Sequence, residues 1–324
     1  MNLVIIVCLF LLGIVLIVKG GDFFVDAASW IAQVSGVPKL IIGATIVSLA
    51  TTMPEMLVSL MASLQEKVDM SIGNAVGSVT ANIGLIMAIS LIFMPAAIRR
   101  RDYLPKSVLM MAAALIIVIG GFKGELTRPL SIALLAIFVV FIFENINSAR
   151  RSMTEEIPAK AKIQRIRPDK KEITTNLLKF ILGAVGIVIG ANLLVDNGSE
   201  LARLVGVSER IIGVTIVAIG TSLPELVTTI TAIVKNQSSL SVGNILGANI
   251  LDLSLILPLC NVVSGKPLPI SPASALIDLP ACFIVGFIAL VPALITARFR
   301  RWQGALLLMV YASYVVITCG FTGA

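Results

Sequence analysis

The sequence predicts an all-α polytopic membrane protein with ten transmembrane helices in two inverted five-helix repeats. Three observations lead there. Mean hydropathy is +1.01 and only 13% of the 324 residues are charged, a composition foreign to soluble globules. Apolar runs of bilayer length fall near 2–20, 38–62, 70–95, 104–121, 129–146, 176–195, 209–234, 240–262, 275–296 and 302–320. The stretch 43–84 recurs without a gap at 213–254, each position 170 residues on.

The first run has no basic segment before it, and its positive residue, Lys19, follows the apolar stretch. It therefore reads as a spanning helix and not a signal peptide. It also belongs to the repeat, since Leu12-Gly13 matches Leu182-Gly183 and Val25-Asp26 matches Val195-Asp196. A short amphipathic stretch is expected next, ending at Gly36-Val37, and at Gly206-Val207 in the second copy. Spans two and three carry the repeated motifs, and spans four and five complete a first repeat, 1–146. Five is odd, so the second repeat, 176–324, inserts upside down. Spans nine and ten pair with four and five by order alone.

Between the repeats lies 147–175, polar, strongly basic and holding Pro158 and Pro168. It reads as a solvated cytoplasmic linker that helps fix topology, with attraction to anionic lipid as the alternative role. Basic residues cluster after odd-numbered spans: Arg99, Arg100, Arg101 and Lys106; the linker; then Arg298, Arg300 and Arg301. The positive-inside rule puts these in the cytoplasm and both termini outside, in the cell (plasma or inner) membrane.

Composition also excludes function classes. The net charge of +7 comes from residues between spans and does not point to nucleic acid. The four cysteines lie in or near apolar runs with no C-x-x-C pair, so they read as small apolar residues. Histidine is absent, which removes the commonest zinc ligand and proton shuttle. No G-x-x-x-x-G-K-[ST] loop is present, so ATP does not drive the protein directly. No enzyme activity and no cofactor are expected, and a monomer is expected in the bilayer.

Each repeat sets a hydroxyl pair, a proline and a glutamate in an apolar run: Thr51, Thr52, Pro54, Glu55 and Thr221, Ser222, Pro224, Glu225. A glutamate at membrane depth is costly and marks a functional site by default. As a helix, Thr51 and Glu55 share a face and Thr52 flanks it. Pro54 and Pro224 cannot donate, which frees the carbonyls of Ala50 and Gly220 and bends the helix. In the following span Asn74, Ser78 and Asn82 form a stripe, matched by Asn244, Ala248 and Asp252. The candidate cage is Glu55, Glu225, Asn82 and Asp252 amid hydroxyls and carbonyls. All these ligands are oxygen, which selects hard cations. Many weak, flexible oxygens suit Ca²⁺ better than Mg²⁺, and could hold Na⁺ when Ca²⁺ is absent. Competition for shared carboxylates is a physical basis for exchange. Thr45, Thr215, Asp26 and Asp196 read as interhelical hydrogen-bond glue. Asp278 has no partner visible in the sequence.

These motifs resemble the Ca²⁺/cation antiporter superfamily, most closely the prokaryotic Na⁺/Ca²⁺ exchangers, over essentially the whole chain. They read GATIVSLATTMPE with GNAVGSVTAN, and GVTIVAIGTSLPE with GNILGANILD. The resemblance implies a central Ca²⁺ site of Thr51, Glu55, Thr221 and Glu225. It implies flanking Na⁺ sites, one from the Ser48 carbonyl with Thr52 and Ser78, the other from the Ala218 carbonyl with Ser222. Asn82 and Asp252 would line the middle, with Asp252 protonated in part of the cycle. Ala248 departs from the pattern, standing where the family usually offers a serine; Ala50 and Thr52 also replace a glycine and a serine.

The expected function is antiport of Ca²⁺ against Na⁺ by alternating access, with spans one and six moving against the motif-bearing core. An H⁺/Ca²⁺ antiporter on the same fold is the nearest alternative, kept open by Ala248, and a K⁺ requirement stays open as well. A passive cation channel is the alternative of a different class; broken helices in inverted halves favour alternating access over a pore.

Overall fold

In hydrocarbon every backbone polar group must be satisfied within the protein, and helices do this segment by segment. The computed structural model of the chain describes residues 3–66, 68–95, 97–155, 169–204, 220 and 222–321, and nearly all of these are helical. Helix α1 is Leu3–Ser35. The next span is broken into α2 (Lys39–Ile42), a π-turn, α3 (Ser48–Thr51) and α4 (Met53–Leu64). Then come α5 (Val68–Ala81), a π-turn over Asn82–Met87 and α6 (Ala88–Phe93). Helices α7 (Arg100–Lys123), α8 (Arg128–Glu155) and α9 (Lys170–Leu204) follow. Further on are α10 (Leu223–Val234), α11 (Ser238–Leu251), a π-turn over Asp252–Ile256 and α12 (Leu257–Ser264). A π-turn over Ser274–Asp278, α13 (Leu279–Thr296) and α14 (Arg301–Phe321) end the chain. Two short strands, β1 (Glu125–Leu126) and β2 (Leu268–Pro269), pair antiparallel.

Among the described residues, seven helices are long and apolar enough to cross a membrane, or eight if the bent pair across 39–64 counts as one. The expected seventh span is described only from 220 onward, apart from 221, and the structure of 205–219 lies outside the described residues. Three spans run longer than expected: α8 to Glu155 against 146, α9 over Lys170–Leu204 against 176–195, and α1 most of all. Helix α1 runs unbroken to Ser35, where the sequence suggests a span ending near 20 and a separate amphipathic stretch. Gly20 and Gly21, just past the apolar run, are packing surfaces of this one helix. The segment 147–175 is helical at both ends, to Glu155 and from Lys170.

The sequence repeat is also a backbone repeat. Helices α4 and α10, and α5 and α11, start and stop at matching positions, and a π-turn opens at Asn82 and again at Asp252. The connection after α4 places Glu66 in the left-handed region (φ 61°), and the connection after α10 does the same with Asn236 (φ 55°). Asparagine tolerates that conformation far better than glutamate.

The chain divides into two compact units, Met1–Thr51 with Asn145–Asn244, and Thr52–Glu144 with Ile245–Ala324. Each draws segments from both sequence halves. In the first, α1 packs along α9 at backbone-to-backbone distance. A Cβ at Gly20 would stand 2.9 Å from the Gly183 carbonyl oxygen, and one at Gly183 would stand 2.7 Å from the Phe24 nitrogen. Gly13 and Gly190 meet the same way. Between helices in lipid, close van der Waals contact replaces the hydrophobic drive, so small residues mark the seam. Phe24 and Phe180 fill the space beside it, with ring centroids 4.5 Å apart. Gly43 and Gly243 make a second seam, between α2 and α11.

In the second unit, α13 packs on α7 and α14 packs on α6. Gly304 rests on the Ala88 carbonyl and Gly84 on the Tyr311 ring. Lys106 does not act as a solvated topology signal. It is 0% exposed, and its Nζ lies 2.8 Å from Glu144 Oε2, which supplies the charge that burial of an ammonium requires.

Gly20→Leu and Gly183→Leu each force α1 from α9 and should lower the melting temperature of detergent-solubilised protein well below that of Leu12→Val on the exposed face. Unchanged melting in both glycine variants would contradict this account of the seam.

Candidate functional site

The local fold of the motif follows from its proline. The backbone breaks at Thr52 (φ −82°, ψ −3°) and, in the second copy, at Ser222 (φ −90°, ψ 8°). A helix begins directly after each, with Pro54 and Pro224 in the first turn, where a missing N–H costs nothing. The carbonyls of Thr52 and Ser222 accept the first bonds of the new helices, from Met56 N and Leu226 N, both at 3.0 Å. Glu55 and Glu225 thus fall in the first turn of a helix, where exposed N–H groups and the dipole favour a negative charge. This is a source of carboxylate stabilisation that residue spacing alone does not reveal. Both side chains are 1% exposed.

In the second unit, α4 carries Thr52 before it and Glu55 within it, and α5 carries Ser78. The π-turn that opens at Asp252 packs against both helices. Thr52, Ser78, Asn82 and Asp252 are all buried, Asp252 at 0% exposure. Asn74 binds α5 to α4 by donating from Nδ2 to the Glu55 carbonyl (3.1 Å) and to Ser59 Oγ (2.9 Å). Asn82 donates from Nδ2 to Asn249 Oδ1 at 3.1 Å, and Asn249 Nδ2 faces Met110 Sδ at 3.9 Å. With its nitrogen so engaged, Asn82 Oδ1 is buried with no hydrogen-bond donor among the described residues. Asn249 was not among the residues the sequence singled out. The signal for it was present, since an asparagine replaces Val79 of the first copy inside a buried stripe.

In the first unit, α10 packs on α3, which brings the element bearing Glu225 onto the one bearing Ser48 and Thr51. Ser48, Thr51 and Ser222 are buried. Asn244 joins the two: its Oδ1 accepts from Thr51 Oγ1 at 3.2 Å, and its Nδ2 donates to Thr228 Oγ1 at 3.0 Å. Thr228 in turn donates to the Glu225 carbonyl at 3.0 Å. In the first copy Asn74 reaches the Glu55 carbonyl directly; Val58 stands there where the second copy has Thr228. Ala218 and Thr221 lie outside the described residues, as does Thr215.

The remaining polar residues sort themselves. Thr45 donates to the Ile41 carbonyl of its own helix at 2.7 Å, a local bond and not interhelical glue. Asp26 is not glue of a neutral kind. It meets Lys235 Nζ at 2.8 Å, and Asp22 meets the same nitrogen at 3.2 Å. Burial works against the Lys235 ammonium, but its bonds to Asp26 and Asp22 outweigh it and raise its pKa. Asp278 does have a partner, the Tyr314 hydroxyl, which donates to it at 3.0 Å.

Among the described residues no three His, Cys, Asp or Glu side chains gather as a metal-binding group. A cation held on these elements would draw on hydroxyl, amide and carbonyl oxygens beside a carboxylate. Such a donor set suits weakly held hard cations, the kind a transporter must release.

Proline-started helices at matching places of two repeats, each with a buried glutamate in its first turn among bilayer-length apolar helices, define the class: a multi-pass membrane transporter of cations. The sodium/calcium exchanger protein family matches residues 5–146 and 175–320, nearly the whole chain. The chain belongs to that family, within the Ca²⁺/cation antiporter superfamily. It is 30% identical to the sodium/calcium exchanger MaX1 of Methanosarcina acetivorans, covering 95% of this chain and 96% of that protein. It is 32% identical to the inner membrane protein YrbG of Escherichia coli over 78% of each. Its fold matches that of the sodium-calcium exchanger NCX_Mj soaked with Na⁺ and Sr²⁺, with a TM-score of 0.81 at 28% identity over 97% of this chain and 99% of that one.

Asn249→Leu removes the acceptor of a buried amide and should cost about 1–3 kcal/mol of stability. Replacing both partners, Asn82→Leu with Asn249→Leu, should recover much of that loss in thermal unfolding of the purified protein. Strict additivity of the two losses would rule out a direct amide pair.

Proposed function

We propose that the protein exchanges Ca²⁺ for Na⁺ across the cell membrane by alternating access, as a monomer of ten spanning helices in two inverted repeats, 1–146 and 176–324. The basic segment 147–175 lies in the cytoplasm and both termini lie outside. One observation carries the reading: the same T-[TS]-x-P-E frame occurs twice, each time with its glutamate buried in the first turn of the helix that the proline begins. Membership of the exchanger family supports it.

Glu55 and Glu225, with Thr51 and Thr221, take one Ca²⁺, whose charge the two carboxylates neutralise. Na⁺ occupies flanking sites, one from the Ser48 carbonyl with Thr52 and Ser78, the other from the Ala218 carbonyl with Ser222. Asn82 and Asp252 line the middle. Because the ions share carboxylates, Na⁺ displaces Ca²⁺ instead of joining it. Helices α1 and α9, which hold each other along their glycine seam and lack the acidic frame, move against the motif-bearing helices to open the site to alternate sides.

One observation favours a second reading, H⁺/Ca²⁺ antiport. Ala248, buried, presents a methyl group where the first copy presents the Ser78 hydroxyl. One flanking Na⁺ position is therefore short of a ligand.

Proteoliposomes test both readings. Uptake of ⁴⁵Ca²⁺ should follow an outward Na⁺ gradient at clamped pH and should not follow an outward H⁺ gradient without Na⁺. The opposite pattern would establish the proton-coupled reading. Glu55→Gln and Glu225→Gln should each abolish uptake while melting near the parent temperature, and near-normal flux in either would refute the central site. Ala248→Ser restores the missing hydroxyl and should lower the Na⁺ concentration for half-maximal exchange; an unchanged Na⁺ dependence would show that the position is not a ligand.

A further inference from the structure

We propose that Asn244 is a positioning residue: it accepts the hydrogen bond of the Thr51 hydroxyl, leaving that oxygen's lone pairs for a cation and the Ser48 carbonyl free to act as a ligand. The inference rests on the reading of Thr51 and Ser48 as ion ligands.

The argument follows the direction of each hydrogen bond. A threonine hydroxyl has one proton and two lone pairs. Thr228 gives its proton to the Glu225 carbonyl at 3.0 Å, so toward Asn244 it can only accept. The group 3.0 Å from it must then be the amide nitrogen of Asn244, which fixes which way this amide faces. Its oxygen is thereby turned to Thr51 Oγ1, 3.2 Å away. A pure acceptor in that place draws the Thr51 proton toward itself. All three side chains are buried, so water does not compete for these bonds.

Besides Asn244, the Thr51 hydroxyl reaches the Ser48 carbonyl at 3.3 Å within its own helix. Threonine at this spacing ordinarily turns back on its helix in that way. Here that choice would spend the carbonyl assigned to Na⁺. Asn244 offers the alternative, and its orientation comes from Thr228, one turn beyond Glu225. The two motif copies are thereby coupled: a hydroxyl of the first is turned by an amide that the second orients.

The test compares Ca²⁺ affinity, measured by calorimetry on purified protein and as half-saturation of uptake, in single and double variants. Asn244→Leu should weaken Ca²⁺ about tenfold, the size of one hydrogen bond of about 1.4 kcal/mol. In a Thr51→Val background, Asn244→Leu should have little further effect. Thr228→Val leaves Asn244 in place but removes what orients it, so it serves if Asn244→Leu does not fold; it should weaken Ca²⁺ by a few-fold, and Thr228→Ser should restore parent affinity. If Thr51→Val weakens Ca²⁺ but Asn244→Leu or Thr228→Val acts equally in both backgrounds, the positioning role is wrong and the site stands. If Thr51→Val leaves Ca²⁺ affinity unchanged, Thr51 is no ligand, and the site assignment fails together with this inference.

Discussion

A carboxylate taken from water into a membrane-spanning helix must be stabilised locally or it will not stay ionised. Much of this structure follows from that requirement. In each copy proline begins a helix, which in the first copy follows directly on α3, and the glutamate after it lands in the first turn. The same residue therefore disrupts the backbone, supplies carbonyls that are not committed to a ladder, and puts a negative charge where a helix N-terminus welcomes it. A glutamate in mid-helix would have none of these.

Breaking a helix at membrane depth creates a further demand, since the restarted segments must be held without a continuous backbone ladder. Two asparagines, Asn74 and Asn244, answer it from the following helices. Each reaches the segment bearing its glutamate, one directly through the Glu55 carbonyl and one through Thr228 to the Glu225 carbonyl. Gly243 of the second G-N pair allows the backbone of α2 to come against α11.

Some departures from symmetry fall at or beside positions that meet ions in the proposed site. Asn82 opens the first π-turn where Asp252 opens the second, Ser78 has Ala248 as its counterpart, and Val79, one residue on, has Asn249. An amide at 82 supplies an oxygen without the charge a carboxylate would carry, and Asn249 engages its nitrogen, leaving the oxygen with no donor among the described residues.

The sequence by itself determined the class of protein, the boundaries of most helices, the motif frame and the identity of its oxygen donors. These are local properties: hydropathy over a bilayer length, proline's missing donor, and a spacing preserved at 170 residues. The early end assigned to the first span was wrong for a non-local reason. The apolar run fades at Lys19 in one dimension, but the helix continues because Gly20 beyond it lies against Gly183 of α9. Asp26, Asp278 and Lys106 were likewise readable as polar residues but not as partners of Lys235, Tyr314 and Glu144. Their partners are distant in sequence, and no periodicity encodes a contact between two helices. Only the tertiary structure decided which hydrogen-bond donor meets which acceptor. That choice is what turns Asn244 and Asn249 from conspicuous amides into groups that orient Thr51 and Asn82.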